Sequence, residues 1–322
     1  MNADKVSSPA VTAVVVTYQS AHTLEALFRS ARKCHDEGLL ECVVVDNGST
    51  DATVAMLQAE SSWLRSIPTG HNNGFGRGCN IGFEHVTTPY TLFLNPDAAI
   101  EPDALRTLLA FMEAHPQVGI AGPATVCGAE GVQPVFQITG DLPTPGSVLL
   151  DTLPLRGPRS SGSRPIVPGS DPFPTGWVCG AVFLVRTDLM RRLAGFDPRF
   201  FLYWEETDVC RRVADEGFEV WAVGTAVARH IMAASSSEDD KRIDGCIAKH
   251  YFQSRRYYLV KHHGWLAATA AELGEFLLLW ARAAGDALRG RGFGRIQPRR
   301  QASLLSQPEL SPQGQGKIAR SC

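Results

Sequence analysis

Three features that would assign a chain quickly to a class of protein are missing from this sequence. Its 8 cysteines include no Cys-x-x-Cys pair, so neither a zinc site nor a disulfide framework is indicated. No run of about 18 apolar residues occurs, which argues against a membrane-spanning helix. The 31 basic and 33 acidic residues nearly balance, so no overall positive charge attracts nucleic acid. We therefore expect a cytoplasmic protein with reduced, packed thiols.

Two common phosphate-binding patterns are also absent. The glycines at positions 74, 76, 78 and 82 fit neither Gly-x-Gly-x-x-Gly nor Gly-x-x-x-x-Gly-Lys-Ser/Thr. This spacing supports neither a dinucleotide-binding fold nor a P-loop NTPase. The same glycines leave the backbone accessible where a helix should begin, so an anionic ligand can approach closely.

Short apolar strands alternate with helical patterns over residues 11–122. Val11–Thr17 is apolar and β-branched, as a central parallel strand should be, and a helical repeat of apolar residues follows it. Cys42–Val45 is a second buried strand, again followed by helical spacing. This alternation predicts an α/β fold with a mostly parallel, doubly wound sheet.

A third apolar strand ends abruptly at Asn95-Pro96-Asp97, because proline cannot donate a hydrogen bond within a sheet. The carboxyl ends of parallel strands form the ligand crevice of such sheets, so Asn95 and Asp97 are expected to project into a site. A carboxylate and an amide suit Mg²⁺ or Mn²⁺. Taken alone, a simple turn that caps the next helix is the better explanation of this tripeptide.

The second strand also ends in a polar turn. The turn Asp46–Asp51 offers carboxylates and hydroxyls, and the helix that follows offers free N–H groups. Together these groups can hold the base, ribose or phosphate of a nucleotide. An ordinary capped turn is the alternative.

Three acids follow an aromatic segment late in the chain. Tyr203 and Trp204 immediately precede Glu205, Glu206 and Asp208. A carboxylate beside aromatic rings loses water, which raises its pKa toward the range that a general base needs near neutral pH. The helix dipole alone also favours acids in a first helical turn, and that explanation fits Glu205 and Asp208 well.

His230 comes after the last predicted strand, Glu219–Val223. As a neutral imidazole it offers one nitrogen ligand to a divalent ion, although such a histidine is more often a hydrogen-bonded packing residue.

The C-terminal part has two helical patterns. Residues 243–262 predict a helix, and basic side chains near its end would meet phosphates or form a solvated face; they are Arg255, Arg256, Lys261, His262 and His263. Residues 265–288 predict an amphipathic helix, since charged residues interrupt its apolar pattern. Five arginines follow without an acid, so this segment could rest on an anionic membrane leaflet. Packing against the catalytic domain or a dimer partner explains the helix equally well.

Six motifs in this order resemble the family 2 glycosyltransferases of GT-A fold. They occupy residues 15–18, 45–51, 73–82, 94–98, 195–197 and 204–208. They are most similar to the bacterial branch that contains rhamnosyltransferases of cell-wall and surface-polysaccharide assembly. Each motif alone is weak, but the ordered set is specific and covers about residues 10–263.

The resemblance implies an inverting transfer of a sugar, such as rhamnose, from a nucleotide-diphosphate sugar to a glycan or lipid-diphosphate-linked acceptor. It implies a divalent cation, Mg²⁺ or Mn²⁺, held by Asp97 and His230. It implies Glu206 as the base, with Glu205 and Asp208 in support. Either Glu205 or Glu206 could be the base, because the family's usual pair is Glu-Asp, and position favours Glu206. The nucleotide would be bound by Thr17, Tyr18, Asp46, Asn47, Gly74, Asn80 and Asn95.

Two other functions use similar parts. A sugar nucleotidyltransferase would show a glycine-rich segment with Arg and Lys near its first strand, where this chain has residues 17–20, Thr-Tyr-Gln-Ser. A non-catalytic, transferase-like binding protein would have lost the metal or base position, but Asp97 and Glu206 are both present.

The predicted organisation has four parts. A disordered N-terminus (1–9) precedes a GT-A domain (10–263), which has a nucleotide-binding half (10–122) and an acceptor or catalytic half (123–263). An amphipathic helical extension (264–290) and a basic, disordered tail (291–322) follow. The expected location is the cytoplasm, with peripheral contact to the inner membrane through the C-terminal helix. The expected partners include no nucleic acid.

Overall fold

The computed structural model describes residues 9–127, 135–152, 163–230 and 245–290. Its strands are β1 (Val11–Thr17), β2 (Leu40–Asp46), β3 (Leu64–Pro68), β4 (Tyr90–Leu94), β5 (Ala98–Ile100), β6 (Val118–Cys127), β7 (Val135–Phe136), β8 (Ile138–Thr139), β9 (Arg164–Pro165), β10 (Phe173–Thr175), β11 (Val182–Arg186) and β12 (Glu219–His230). Its helices are α1 (Leu24–Asp36), α2 (Thr53–Ala59), α3 (Phe75–Phe83), α4 (Pro102–Ala114), α5 (Pro145–Thr152), α6 (Thr187–Arg192), α7 (Glu205–Asp215), α8 (Gly245–His263) and α9 (Trp265–Leu288).

One sheet organises the molecule, with the central strand order β3-β2-β1-β4-β11-β6-β12-β10. The pairs β2–β3, β1–β2, β1–β4 and β6–β12 are parallel. The predicted α/β architecture is confirmed. The sheet is nevertheless mixed, because β11 lies antiparallel between β4 and β6.

The strands in the middle of the sheet are apolar because both of their faces are covered. In β1, Val11, Ala13 and Val15 pack into one buried cluster, while Val14 and Val16 pack into the cluster on the opposite face. A parallel strand covered on both faces reads as a continuous apolar run, as this one does. The burial holds the carboxyl ends of β1, β2 and β4 at one edge of the sheet.

The second half of the chain differs from the prediction in two places. The last strand continues beyond Val223 to His230, so the histidine ends the strand instead of following it. The region 123–175 holds 10 of the 20 prolines, a density that predicts long irregular connections, but it contains short strands and helix α5.

The C-terminal helices α8 and α9 pack against each other, and α9 also packs on α5. Within the described ranges, no helix is long and apolar enough to cross a membrane. Residues 1–8 and 291–322, which were predicted to be disordered, lie outside the described residues.

Candidate active site

The carboxyl ends of β1 and β2 are joined by hydrogen bonds between predicted site residues. The Thr17 hydroxyl donates to Asp46 Oδ1 at 3.1 Å. The backbone N–H groups of Gly48 and Ser49 donate to Asp46 Oδ2 at 3.2 and 3.0 Å. Asp46 therefore shapes the turn after β2, while the half-buried Tyr18 follows directly after β1.

Gly74 precedes α3 in a conformation that only glycine adopts easily. Its φ is +81°, and a Cβ atom would lie 2.4 Å from the Phe201 carbonyl oxygen. The buried Asn47 donates from Nδ2 to the Gly74 carbonyl at 3.0 Å. The start of α3 is thus held against both the turn after β2 and the segment before the acids of α7.

Asn80 on α3 is hydrogen-bonded to the loop at 195–197 through both ends of its side-chain amide. Its Oδ1 accepts from the Phe196 N–H at 2.8 Å, and its Nδ2 donates to the Phe196 carbonyl at 2.8 Å. Both ends of the amide are therefore used to attach α3 to the loop at 195–197. These bonds give Asn80 a structural task, and nucleotide contact by this residue stays a prediction.

Gln19 is a site residue that the sequence analysis missed. Its Oε1 accepts from the N–H groups of Thr50 and Asp51 at 3.1 Å each, and its own N–H donates to Ser49 Oγ at 2.9 Å. Gln19 thereby joins the turn after β1 to the turn after β2. Its left-handed φ of 53° is rare outside glycine, but no sequence signal marks it.

Asp97 and His230 lie in direct contact, as their predicted shared function requires. His230 Nε2 and Asp97 Oδ1 are 3.0 Å apart, and both side chains are largely buried. Antiparallel pairing of β5 with the end of β12 places His230 opposite Ala98. On the other side of the ring, Gln137 Nε2 lies 3.2 Å from His230 Nδ1.

Asp97 and His230 fit a divalent cation as two of its ligands, one oxygen and one nitrogen. Among the described residues, no third Asp, Glu, His or Cys joins them. A cation here would therefore take its remaining ligands from phosphate and water. Binding through His230 Nε2 requires the proton on Nδ1, so the Gln137 amide must then present its oxygen.

Glu206 is half-buried and has no cation beside it in the part of the chain that the structure describes. Burial raises its pKa to about 7, and the N–H groups at the start of α7 only partly oppose that shift. No basic side chain of the described residues forms an ion pair with it. Its side chain lies against Gly180, where a Cβ atom would come within 3.5 Å of the Glu206 Cβ, Cγ and Cδ atoms.

Glu205 lies deeper than Glu206. Its side chain is buried near Gly76 and Cys79, and its Oε2 atom has no hydrogen-bond partner among the described residues. Burial, with a smaller contribution from Glu206, raises its pKa well above the usual value. Burial therefore favours the protonated, neutral form of Glu205 over the ionised form.

Two aromatic residues immediately before α7 have an uncommon backbone conformation. Tyr203 and Trp204 have φ values of 69° and 72°, in the left-handed region. Tyr251 on α8 contacts both rings, with centroid distances of 6.0 and 5.8 Å. Because bulky residues rarely adopt this conformation, the surrounding packing must hold it and thereby fix the direction of the two glutamates.

Asp208 points away from the glutamates and toward α8. Its Oδ2 accepts from Arg212 Nε at 2.8 Å, and its Oδ1 lies 2.8 Å from His262 Nε2 and 2.6 Å from Lys261 Nζ. Burial alone would raise its pKa, but these partners lower the pKa below the usual value. Asp208 supports the site by holding α7 to α8.

The predicted basic group on α8 is not a free phosphate-binding surface. Arg255 pairs with Glu275, and Arg256 pairs with Glu272, both in buried contacts with α9. Lys261 bridges Asp197 and Asp208. These cations are used to join the helices and the loop at 195–200.

The two predicted centres meet at one edge of the sheet. The Asn95 N–H donates to the Ala181 carbonyl at 2.8 Å, and the preceding Gly180 contacts Glu206. The turn that carries Asp97 and the helix that carries Glu206 are therefore separated by one short segment of chain.

The chain is similar in sequence to known glycosyltransferases. Residues 12–170 match the family model described as glycosyl transferase family 2. The chain is 26% identical over 267 residues to N-acetylglucosaminyl-diphospho-decaprenol L-rhamnosyltransferase of Mycobacterium tuberculosis, covering 79% of this chain and 86% of that protein. It is 27% identical over 172 residues to the Escherichia coli rhamnosyltransferase WbbL, covering 49% of this chain and 60% of the relative.

Solved structures share the fold. Mannosyltransferase PcManGT from Pyrobaculum calidifontis, solved with GDP-Man and Mn²⁺, matches with a TM-score of 0.55 at 18% identity, over 91% of this chain and 84% of that one. GalNAc-T7, solved with UDP, GalNAc and Mn²⁺, matches with a TM-score of 0.54 at 12% identity, over 90% and 56%. The predicted GT-A fold is confirmed.

Proposed function

We propose that this chain, a family 2 glycosyltransferase, transfers a sugar from a nucleotide-diphosphate sugar to a hydroxyl of a lipid-linked glycan, with inversion at the anomeric carbon. The observation that carries the proposal is the Glu206 carboxyl. It has a raised pKa, no cation beside it among the described residues, and a position across Gly180 from the Asp97 turn. An acceptor hydroxyl needs such a base.

The donor nucleotide would bind over the ends of β1 and β2. Thr17, Asp46 and Asn47 are buried and hydrogen-bonded there, so the turns that surround them are already formed before a ligand arrives. The base and ribose would then meet Tyr18 and the preformed backbone of these turns. Preorganised turns of this kind lower the cost of binding.

The diphosphate of the donor would lie near Asp97 and His230. These two residues would hold a divalent cation, either Mg²⁺ or Mn²⁺, together with phosphate oxygens and water. When bound, the cation would neutralise the charge that develops on the departing diphosphate. Two structures of this fold were solved with Mn²⁺, which supports the assignment.

Glu206 would remove the proton from the acceptor hydroxyl as its oxygen attacks the anomeric carbon. The new C–O bond forms on the face opposite to the departing diphosphate, and the proton goes to the Glu206 carboxylate. A single displacement with a single base inverts the configuration of the anomeric carbon. A pKa of about 7 allows Glu206 to be ionised and still basic near neutral pH.

The acceptor and the sugar are proposed from the relatives. One relative is named as acting on N-acetylglucosaminyl-diphospho-decaprenol, and two are rhamnosyltransferases. Nucleotide-linked rhamnose is therefore the first donor to test, with a lipid-diphosphate-linked N-acetylglucosamine as acceptor.

The purified chain should be incubated with a panel of nucleotide sugars, with and without Mn²⁺ or Mg²⁺, while nucleoside diphosphate release is followed. We expect release from one donor, dependent on acceptor and cation, and a product of inverted configuration by NMR. Release of pyrophosphate from a sugar phosphate and an NTP would instead identify a nucleotidyltransferase. Retained configuration would contradict the single displacement.

The variant Asp97→Ala tests the cation site separately. We expect cation-dependent binding of the donor nucleotide, measured by calorimetry, to weaken strongly. The matched control is Asp103→Ala, which removes an exposed acid at the start of α4. Unchanged binding in Asp97→Ala would remove this residue from the cation site.

A further inference from the structure

Helix α9 exposes an apolar face along its whole length. Every exposed position within Trp265–Leu288 carries an apolar side chain. Leu266, Leu277 and Leu288 are 77%, 69% and 90% exposed. The large residues of this face are Trp265, Leu266, Leu273, Leu277, Trp280 and Leu288, and alanines lie between them.

Two of the three acids of α9 lie on the opposite face, inside the protein, and the third, Asp286, is half-buried. Glu272 and Glu275 are buried and form ion pairs with Arg256 and Arg255 of α8. A helix at a water-exposed surface places its charged residues outward and its apolar residues inward. Helix α9 has the reverse arrangement, so its outer face is built for contact with something other than water.

The spacing makes this face continuous. Leu266, Leu273, Leu277, Trp280 and Leu288 recur at intervals of seven, four, three and eight residues, which keeps them on one side of an α-helix. At 1.5 Å per residue the face is about 33 Å long. An apolar strip of this length on one helix matches the geometry of helices that lie in the plane of a membrane surface.

The charges around the face favour an anionic lipid surface over a protein partner. Arg289 is exposed at the end of α9, and the sequence continues with Arg291, Arg295, Arg299 and Arg300. No acid occurs between Asp286 and Glu309. Basic segments beside an apolar helix face add electrostatic attraction to anionic headgroups. Trp265 and Trp280 are of the residue type that concentrates at membrane interfaces.

We propose that the outer face of α9, formed by Leu266, Leu273, Leu277, Trp280 and Leu288, docks this enzyme on an anionic lipid surface. Helix α8 connects this face to the catalytic segment. Its ion pairs hold α9, and its Ser254 hydroxyl donates to the Leu202 carbonyl at 2.9 Å.

This connection has a consequence that rests on the proposed function. The Tyr257 hydroxyl of α8 also donates to Asp197 Oδ2 at 2.9 Å, so α8 contacts both ends of the segment that leads into Glu205 and Glu206. Docking through α9 therefore fixes the orientation of the catalytic glutamates relative to the surface that carries a lipid-linked acceptor.

The test is co-sedimentation of the full chain with phosphatidylcholine vesicles that contain about one third phosphatidylglycerol. We expect the wild type to bind, and the variant Leu273→Glu/Leu277→Glu to bind at least about tenfold more weakly. Binding should also weaken on pure phosphatidylcholine. The matched control is Ala110→Glu/Ala114→Glu, which adds the same charges at exposed positions of α4 and should bind like the wild type.

Three results would overturn the proposal. The first is that the wild type does not bind the vesicles, and the second is that Leu273→Glu/Leu277→Glu binds as well as the wild type. The third is that the wild type is a dimer which becomes a monomer in this variant and not in the control. Should the double variant unfold, Leu266→Glu replaces it, because Leu266 is 77% exposed. The assay contains no donor or acceptor, so its failure leaves the proposed reaction standing. The variant should release nucleoside diphosphate with a soluble acceptor at the wild-type rate.

Discussion

The segment 197–208 contains two pairs of acids whose pKa values are shifted in opposite directions. Asp197 and Asp208 are each surrounded by cations, and those hydrogen bonds and charges outweigh burial and lower both pKa values. Glu205 and Glu206 have no cation among the described residues, so burial dominates and raises both pKa values. All four lie at or close to the start of α7.

The difference distinguishes the paired acids, Asp197 and Asp208, from Glu206, the acid proposed as the base. A buried carboxylate that is fully paired is held ionised, and proton transfer to it is unfavourable. A buried carboxyl without a cation gains a proton easily near neutral pH, which a general base requires. Position in the sequence alone does not make this distinction, because all four acids belong to neighbouring motifs.

Replacement of Glu206 should have the largest effect. Because Gln cannot accept the proton, Glu206→Gln should lower kcat about a hundredfold to ten-thousandfold while the donor binds as before. Steady-state transfer and nucleotide-binding calorimetry measure the two quantities. The variant Glu206→Asp keeps a carboxylate and should retain most of the activity that Glu206→Gln loses. Turnover of Glu206→Gln near the wild-type value would remove Glu206 from this role.

Replacement of Asp208 should act on stability instead of chemistry. Asp208→Asn leaves Arg212, Lys261 and His262 without their shared carboxylate, and breaking a buried pair costs about 3–5 kcal/mol in free energy of unfolding. Urea unfolding measures this loss. The control Asp215→Asn breaks an exposed pair with Arg211 in the same helix and should cost at most about 0.5 kcal/mol.

The pH dependence of that stability follows from the lowered pKa. Asp208 contributes its full stabilisation above the unfolded-state pKa of about 4, and the contribution is lost as the pH falls toward the folded-state value. The wild type should therefore lose more stability on acidification than Asp208→Asn does. Equal acid sensitivity of the two proteins would contradict the assigned ion network.

Much of the fold could be predicted from local patterns. The bounds of β1 and α9 agree with the sequence, because an apolar β-branched run and a long helical repeat each depend only on near neighbours. The extension of β12 to His230 was missed, although residues 224–230 alternate between exposed and buried positions as a strand does. Helix α5 was missed because prolines dominated that region of the sequence.

The surroundings of the acids could not be predicted, because they depend on residues far along the chain. Lys261 and His262 reach Asp208 from α8, more than fifty positions later. The pairing of Arg255 with Glu275, 20 positions later on another helix, is not visible in the local pattern either, so the α8 cations resembled a phosphate site. The sequence identifies the candidate acids. The contacts from α8 to Asp208, and the lack of a cation beside the glutamates among the described residues, determine the direction in which each pKa is shifted.

The smallest effect on activity is expected for Glu205→Gln, which tests whether Glu205 and Glu206 have different roles. Glu205 is buried and its pKa is raised well above the usual value, so an uncharged amide of similar shape resembles the protonated carboxyl that burial favours. We expect kcat/KM to fall less than about tenfold. Because ionised Glu206 is the active form, activity should rise with pH through about 7 in both the wild type and this variant. A loss in Glu205→Gln as large as that in Glu206→Gln, with the pH dependence abolished, would identify Glu205 as the base.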